Sequence, residues 1–220
     1  MADKRILITS PRLRPGDESV QMLEKAGFEP VFSHWHGGRT EEELMGLLKD
    51  ADAVIAGNDK FTARVMDAAP RLKIIARTGV GYDAVDVTAA TQRGIAVTIT
   101  PGVNRHSVAE FTMGFMILCS RLMLQNLSTI GKGEWKVIEG RELAGSTVGI
   151  IGFGTIGKEV AQRARAFEMR ILAYDPFQDS VFAESQGVTF VSLEQLLKES
   201  DFVTLHLFLN EKTRNLIDAE

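Results

Sequence analysis

The sequence has little cysteine and little proline: its 220 residues include one cysteine and six prolines. The single thiol, Cys119, forms no disulfide within the chain, which excludes a disulfide scaffold and favours a cytoplasmic protein. Cys119 stands in the apolar run that begins at Phe115. A buried, unreactive thiol is therefore expected.

Long apolar runs and an excess of one charge are also missing. No run approaches the roughly 20 apolar residues of a membrane span, and the apolar segment after Arg5 is too short for a signal-peptide core. Lys and Arg number 25 against 29 Asp and Glu, so the net charge of −4 creates no field that attracts nucleic acid or an anionic membrane. Neither partner is expected. The 45% apolar content supports a sizeable core in one large or two small domains.

Short apolar runs alternate with helical patterns over the first hundred residues and again after residue 146. Such alternation favours parallel sheets covered by helices on both faces. The predicted fold class is α/β, with two doubly wound parallel-sheet domains. Thr40 and Glu43 have the spacing of a capping box, and Gly27 and Gly94 each follow a helical pattern where a left-handed cap is expected.

One long helix is predicted over residues 104–130, between the two α/β layers. It is apolar around much of its circumference, which favours burial between domains or against another subunit. The predicted domains are therefore 1–103 and 104–220.

Gly152, Gly154 and Gly157 form a Gly-x-Gly-x-x-Gly pattern between a predicted strand and a predicted helix. The first glycine permits a tight turn, the second lets the backbone approach a pyrophosphate, and the third allows close helix packing. The helix N-terminus supplies free N–H donors and a positive partial charge. The pattern indicates a dinucleotide site; a methyltransferase loop and a tight turn without ligand are the alternatives.

Asp175 ends the next predicted strand, 18 residues after Gly157. Its carboxylate is placed to accept hydrogen bonds from ribose hydroxyls and to repel a 2′-phosphate. No Arg or Lys occurs over residues 175–178. The sequence therefore favours NAD over NADP.

Five ordered signatures resemble the D-isomer-specific 2-hydroxyacid dehydrogenases, most of all their phosphoglycerate dehydrogenase branch. The resemblance implies an NAD-dependent oxidoreductase that moves a hydride between a D-2-hydroxy acid and nicotinamide. It also implies a flavodoxin-like substrate domain, a Rossmann NAD-binding domain, and a long helix that carries much of a homodimer interface. The signatures are residues 77–86, 100–110, 133–135, the glycine loop with 174–176, and 206–217.

Carried over by position, the resemblance also implies site residues. Backbone N–H groups of Gly79, Val80 and Gly81 would bind the substrate carboxylate. Asn104 would contact substrate at the hinge, and Arg77 would add charge nearby; an ion pair between Arg77 and a neighbouring carboxylate is the equally weighted alternative. The implied cofactor contacts are Gly152, Phe153, Gly154, Thr155, Ile156, Gly157, Asp175, His206 and Val80.

Two departures from the family pattern bear on substrate and cofactor contacts. Ala56-Gly57-Asn58 stands where phosphoglycerate dehydrogenases often place an arginine for the substrate phosphate, which puts a phosphorylated substrate in doubt. After His206, Leu207-Phe208-Leu209 replaces the usual Pro-Leu-Thr.

The family's catalytic Arg, Glu and His are expected beyond Glu220, so no residue here is assigned a catalytic role. About four of six nucleotide-domain strands are expected, which leaves the second domain incomplete. The chain alone is expected to be catalytically silent and, because the strand over 202–207 is left unpaired, prone to associate.

The histidines suggest no metal centre. His34 and His36 have a spacing that could bind metal, but no Cys or acidic partner is close in sequence, so solvated loop histidines are expected. His106 and Glu110 are four residues apart on one helix face, which favours a local ion pair or a hydrogen bond at the helix start over a catalytic role. Two functions stay open at this point: the dehydrogenase, and an NAD-responsive sensor or corepressor-like interaction protein.

Overall fold

A computed structural model describes residues 4–34, 37 and 39–218. The chain divides into two compact units, Met1–Pro101 and Gly102–Glu220. Each unit contains one parallel sheet with helices between successive strands. The predicted α/β class with two doubly wound sheets is confirmed.

The first unit contains five strands among its described residues, in the order β2-β1-β3-β4-β5. This is the order of flavodoxin-like folds, in which the strand order reverses between β1 and β3. Leu7, Val54 and Ile75 of the three central strands are fully buried in the core beneath the helices. The elements are β1 (Lys4–Ile8), α1 (Glu18–Lys25), β2 (Phe28–Phe32), α2 (Glu41–Leu48), β3 (Ala53–Ala56), α3 (Ala63–Asp67), β4 (Ile74–Arg77), α4 (Val87–Gln92) and β5 (Ala96–Thr98).

Local capping signals in this unit are confirmed. The Thr40 hydroxyl accepts from the Glu43 N–H, and the Glu43 carboxylate accepts from the Thr40 N–H, which completes the capping box of α2. Gly27 and Gly94 have φ angles of 82° and 64°. Both are left-handed positions that glycine adopts without steric cost, so each ends its helix as predicted.

The second unit contains four parallel strands within the described range, in the order β8-β7-β6-β9. This order matches the 3-2-1-4 portion of a dinucleotide-binding sheet. Every residue of β6 is buried, as expected for a strand covered on both faces. The elements are α5 (Arg105–Ser120), α6 (Met123–Gly131), β6 (Thr147–Ile151), α7 (Thr155–Ala166), β7 (Arg170–Tyr174), α8 (Ser180–Gln186), β8 (Val188–Phe190), α9 (Leu193–Glu199) and β9 (Phe202–Leu205).

The prediction of one long helix over 104–130 is wrong: α5 and α6 meet at a 65° bend. Leu122 at the break has a left-handed φ of 48°. The Ser120 carbonyl accepts a hydrogen bond from the Arg141 N–H, at 2.6 Å, instead of from the next helical turn. Within the described ranges no single helix is long and apolar enough to cross a membrane, although the bent pair passes that test when taken together.

The prediction that Cys119 is buried is also wrong, because its side chain is exposed. Helix α5 buries a single stripe, which contains Ala109, Met113 and Met116. Phe111 and Cys119 lie outside that stripe. The apolar circumference of the helix therefore predicted more burial than this chain provides by itself.

A buried ion pair joins two loops of the first unit. Arg39 donates to the Asp59 carboxylate at 2.6 Å, and Asp59 is only 3% exposed. The same guanidinium donates to the backbone carbonyls of Ser33 and His34. The second oxygen of Asp59 has no hydrogen-bond partner among the described residues, so Arg39 is the main compensation for this buried charge.

Replacing Arg39 by alanine is expected to destabilise the first unit strongly. Arg39→Ala leaves the Asp59 carboxylate buried without its cation, which typically costs about 3–5 kcal/mol. Arg64→Ala is the matched control, because Arg64 pairs with Glu42 on the exposed surface and such pairs contribute little to stability. Urea unfolding of the three proteins measures the difference. Equal losses in the two variants would contradict the structural role of the buried pair.

Candidate dinucleotide site and carboxylate loop

The glycine loop lies at the carboxyl end of β6, between β6 and α7. In this parallel sheet the strand order reverses between β6 and its neighbour β9, because β7 and β8 are added on one side of β6 and β9 on the other. Ligands of open α/β sheets bind in the crevice at such a reversal, outside the carboxyl ends of the strands. The loop predicted from the glycine spacing therefore occupies the position where the fold itself creates a binding crevice.

Two glycines of the loop are required by close backbone packing. Gly152 has a φ of 96°, and a Cβ there would lie 2.6 Å from the His206 carbonyl oxygen. A Cβ on Gly157 would collide with the Gly152 carbonyl oxygen. These contacts bring the end of β6, the start of α7 and the segment after β9 together without an intervening side chain.

Gly154 has a different role, because a Cβ there would meet no atom within 4 Å. Its backbone, with φ −77° and ψ −159°, suits any residue. Gly154 is the N-cap of α7, and no side chain caps this helix within the described residues. The first N–H groups of a helix have no intrahelical acceptor, so an open space faces a set of free donors. The arrangement fits a phosphate group.

Asp175 is fixed at the end of β7 by two backbone donors. The Phe153 N–H donates to one carboxylate oxygen and the Phe177 N–H to the other, both at 2.7 Å. A carboxylate has about four acceptor positions, so two are left for further donors. The structure thus brings Asp175 to the glycine loop, with part of its acceptor capacity unused.

The remaining predicted cofactor residues of this loop differ in how far they are buried. Gly154 and Thr155 are exposed and Ile156 is half-buried, whereas Phe153 is 2% exposed. The Phe153 ring packs edge-on against Phe190, with centroids 5.2 Å apart. Phe153 therefore serves the site through its backbone N–H and the core through its ring.

His206 follows β9 and reaches the same crevice. Its N–H donates to the Ile151 carbonyl at 2.8 Å, and its ring nitrogen Nε2 lies 3.0 Å from the Thr204 hydroxyl. Burial lowers the pKa of His206 below its ordinary value. At neutral pH the ring is therefore an uncharged hydrogen-bonding group beside the glycine loop.

The predicted carboxylate loop of the first unit, Gly79 to Gly81, follows β4. A Cβ on Gly79 would meet no atom within 4 Å, so the backbone here is open to a ligand. Val80 and both glycines are half-buried. The loop is held in place by Arg77, whose Nε donates to the Gly81 carbonyl at 3.1 Å.

Arg77 itself is 9% exposed and also donates to Asn58 at 3.3 Å. Arg77 forms no ion pair with any described residue, so the predicted alternative of a structural ion pair is not found; Asp59 pairs with Arg39 instead. Burial lowers the pKa of Arg77, and the nearby charges of Asp83 and Asp59 oppose this shift. Arg77 keeps its charge and positions the loop.

Hydroxyl groups beside this loop were missed by the sequence reasoning. Thr9 and Ser10 follow β1 and are fully buried. The Ser10 and Thr78 hydroxyls hydrogen-bond at 2.8 Å, and the Gly57 N–H donates to the Thr9 hydroxyl at 3.0 Å. They join the segments that follow β1, β3 and β4. The available signal was their position directly after the first predicted strand.

A cavity of about 570 Å³ opens beside Arg77 in the same unit. Its wall carries cations at Lys60 and Arg77 and carboxylates at Asp83 and Asp86. Asp86 is engaged as the N-cap of α4, where it accepts from the Ala89 N–H. The cavity is therefore a polar space of mixed charge close to the predicted carboxylate loop.

Two other predictions concern polar groups outside the two loops. Asn104 is the N-cap of α5, and its buried Oδ1 has no partner among the described residues. His106 pairs across to Glu159 at 3.1 Å rather than with Glu110, which contacts Arg163 instead. The predicted local pair is wrong because α5 packs directly on α7 and offers closer charges.

The candidate histidine pair gives no metal site in the described residues. His34 hydrogen-bonds to the Leu13 carbonyl at 3.0 Å, while His36 lies outside the described residues. No group of three or more potential metal ligands occurs in the part of the chain that the structure describes.

Comparison with known proteins agrees with this geometry. Residues 113–220 match the family model "D-isomer specific 2-hydroxyacid dehydrogenase, NAD binding domain". A D-3-phosphoglycerate dehydrogenase of Methanocaldococcus jannaschii is 42% identical over 220 residues, which cover 98% of this chain and 41% of that protein. A hydroxypyruvate reductase of Thermotoga maritima is 41% identical over 224 residues, which cover 100% of this chain and 70% of that protein.

The fold of a solved structure is shared as well. The crystal structure of the NAD+-bound 3-phosphoglycerate dehydrogenase of Entamoeba histolytica is 35% identical with a TM-score of 0.76, and the match covers 96% of this chain and 65% of that one. The glycine loop, the anchored Asp175 and the open space at Gly154 fit NAD. The chain belongs to the D-isomer-specific 2-hydroxyacid dehydrogenase family and carries its NAD-binding domain.

Proposed function

We propose that the whole protein, of which this sequence is all or part, is an NAD-dependent dehydrogenase of a D-2-hydroxy acid. The observation that carries the proposal is the second unit's crevice, where free helix donors, an open Gly154 and an anchored Asp175 converge. The chain spans 41% and 70% of the two relatives compared above, which are named as a dehydrogenase and a reductase of this family. These relatives do not favour the sensor or corepressor-like alternative.

In this proposal the second unit binds the dinucleotide. The N–H groups that begin α7 bind the pyrophosphate, and Asp175 accepts hydrogen bonds from the ribose hydroxyls. Bound NAD supplies the hydride acceptor, and NADH the donor, at nicotinamide C4. The lowered pKa of His206 keeps its ring neutral, so the ring acts beside the cofactor as a hydrogen-bonding group and not as a charge.

The first unit binds the carboxylate of the acid. Gly79 has no side chain, so a small anion reaches the backbone N–H groups of the loop. The Arg77 contact to Gly81 holds the loop in this conformation. The cavity of mixed charge beside Arg77 suits a small polar substituent. The run Ala56-Gly57-Asn58 contains no arginine for a substrate phosphate, which favours an acid without one.

We also propose a homodimer formed through α5 and α6. Phe111 is 67% exposed on α5, and Leu124, Leu127 and Ile130 are each more than 60% exposed on α6. Contiguous exposed apolar surface of this kind marks interaction sites. A two-fold dimer uses the same patch on both copies, so in the proposed dimer this apolar face contacts its own counterpart.

Substituting Gly154 is expected to weaken cofactor binding without unfolding the protein. Gly154→Ala places a methyl group in open space, which is harmless to the fold and blocks the approach of the pyrophosphate. NADH affinity should fall about tenfold or more, equivalent to about 1.4 kcal/mol. Fluorescence titration and a melting curve are the measurements. Gly114→Ala on α5, also in open space, is the control; equal NADH affinity in both variants would contradict the assignment.

Catalysis is tested with the whole protein, by following NADH consumption with glyoxylate, hydroxypyruvate and 2-oxoglutarate. At least one of these 2-oxo acids should be reduced, and hydroxypyruvate or 2-oxoglutarate should give the D isomer; the product of glyoxylate, glycolate, is achiral and reports turnover only. Gly79→Ala should raise KM for the acid about tenfold while NADH affinity stays unchanged, because the methyl group obstructs only the carboxylate loop. Gly46→Ala, remote on α2, is the control. An L product, or no turnover of any 2-hydroxy or 2-oxo acid, would refute the proposed reaction.

The dimer is tested by sedimentation. The protein should sediment as a dimer, and the double variant Phe111→Ser with Leu127→Ser should sediment as a monomer, because each copy loses two apolar contacts. Val181→Ser is the control, since Val181 on α8 is even more exposed but lies outside this patch. A monomeric wild-type protein, or a dimer that survives the double variant, would overturn this interface.

A further inference from the structure

An ion pair beside the dinucleotide crevice is not explained by the binding of NAD described above. The Lys158 ammonium in the first turn of α7 donates to Asp179 Oδ2 at 2.5 Å. The other Asp179 oxygen accepts from the Phe182 N–H at 3.1 Å and caps α8. Lys158 also lies 5.1 Å from the centroid of the Phe182 ring. The pair therefore connects the starts of two helices.

This pair belongs to the same contact network as the ribose carboxylate. The Phe182 ring packs on Phe153, with centroids 5.9 Å apart, and the Phe153 N–H donates to Asp175. Asp179 stands four residues after Asp175, and Lys158 directly follows Gly157 of the glycine loop. Both charges are thus linked through Phe182 and Phe153 to the backbone donor that holds Asp175.

The cations on α7 are all engaged. Helix α7 contains three basic residues, Lys158, Arg163 and Arg165. Arg163 pairs with Glu159 at 2.7 Å, and Arg165 donates to the Ser185 carbonyl. The Lys158 hydrogen bond is also the largest cause that lowers the pKa of Asp179, so this carboxylate stays ionised and keeps the ammonium occupied. No cation on α7 is left without a partner.

NADP differs from NAD by a phosphate of about −1.5 to −2 charge on the adenosine ribose. We propose that Asp179 is a second determinant of the preference for NAD over NADP, together with Asp175. Its carboxylate repels the 2′-phosphate, and its ion pair withholds Lys158, which would otherwise bind that phosphate. This inference rests on the NAD site of the proposed function and extends it to cofactor discrimination.

The test is Asp179→Asn, because asparagine removes the charge and still caps a helix. The affinities of NADH and NADPH are measured separately by fluorescence titration of the purified protein. NADPH affinity should rise about fivefold, the effect of one exposed charge pair, while NADH affinity stays within about twofold. The double variant Lys158→Met with Asp179→Asn should show a smaller gain, since only the repulsion is then removed.

Glu184→Gln on the exposed face of α8 is the matched control for a lost negative charge, and it should change neither affinity. An unchanged ratio of NADPH to NADH affinity in Asp179→Asn would overturn the proposal. Equal weakening of both cofactors together with a lower melting temperature would also overturn it, because the pair would then be only structural. A wild-type protein that fails to bind NADH would instead refute the cofactor site itself.

Discussion

The second unit depends on one close approach of backbone, where the turn after β6 meets the start of α7 and the segment after β9. Gly157 touches the Gly152 carbonyl, and Gly152 lies against the His206 carbonyl. A side chain at either glycine would force these segments apart. The same approach directs the helix donors into open space at Gly154 and sets the Phe153 N–H against Asp175. Binding capacity and packing therefore have a common origin in this turn.

In the first unit, different side-chain groups hold the loops at the corresponding position, the carboxyl ends of the central strands. In its sheet the strand order also reverses, between the neighbouring parallel strands β1 and β3. Here hydroxyls of Thr9, Ser10 and Thr78 join the strand-end segments, and Arg77 fixes the loop that follows β4. These hydroxyl and guanidinium contacts do not cover Gly79, so its backbone stays accessible. One architecture thus presents an open phosphate-type site in one unit and an open carboxylate-type loop in the other.

Local signals in the sequence predicted the parts of the site that depend on neighbours in the chain. The glycine spacing and Asp175 located the dinucleotide crevice, since a strand, a tight turn and a helix are contiguous in sequence. Thr9 and Ser10 were not predicted, because the sequence does not distinguish a buried hydroxyl from one in an exposed loop before the strand pairing is known. His106 was assigned to Glu110, four residues away, whereas packing of α5 on α7 gave it Glu159.

The sequence by itself determined the α/β class, the capping of α2, the glycine ends at Gly27 and Gly94, and the position of the glycine loop. Each follows from a short-range steric or hydrogen-bonding preference. Only the tertiary structure decided that the helix breaks at Leu122, that Cys119 is exposed, and that Lys158 is tied to Asp179. These outcomes depend on segments remote in sequence, such as the Arg141 N–H that takes the Ser120 carbonyl, and no local pattern encodes such contacts.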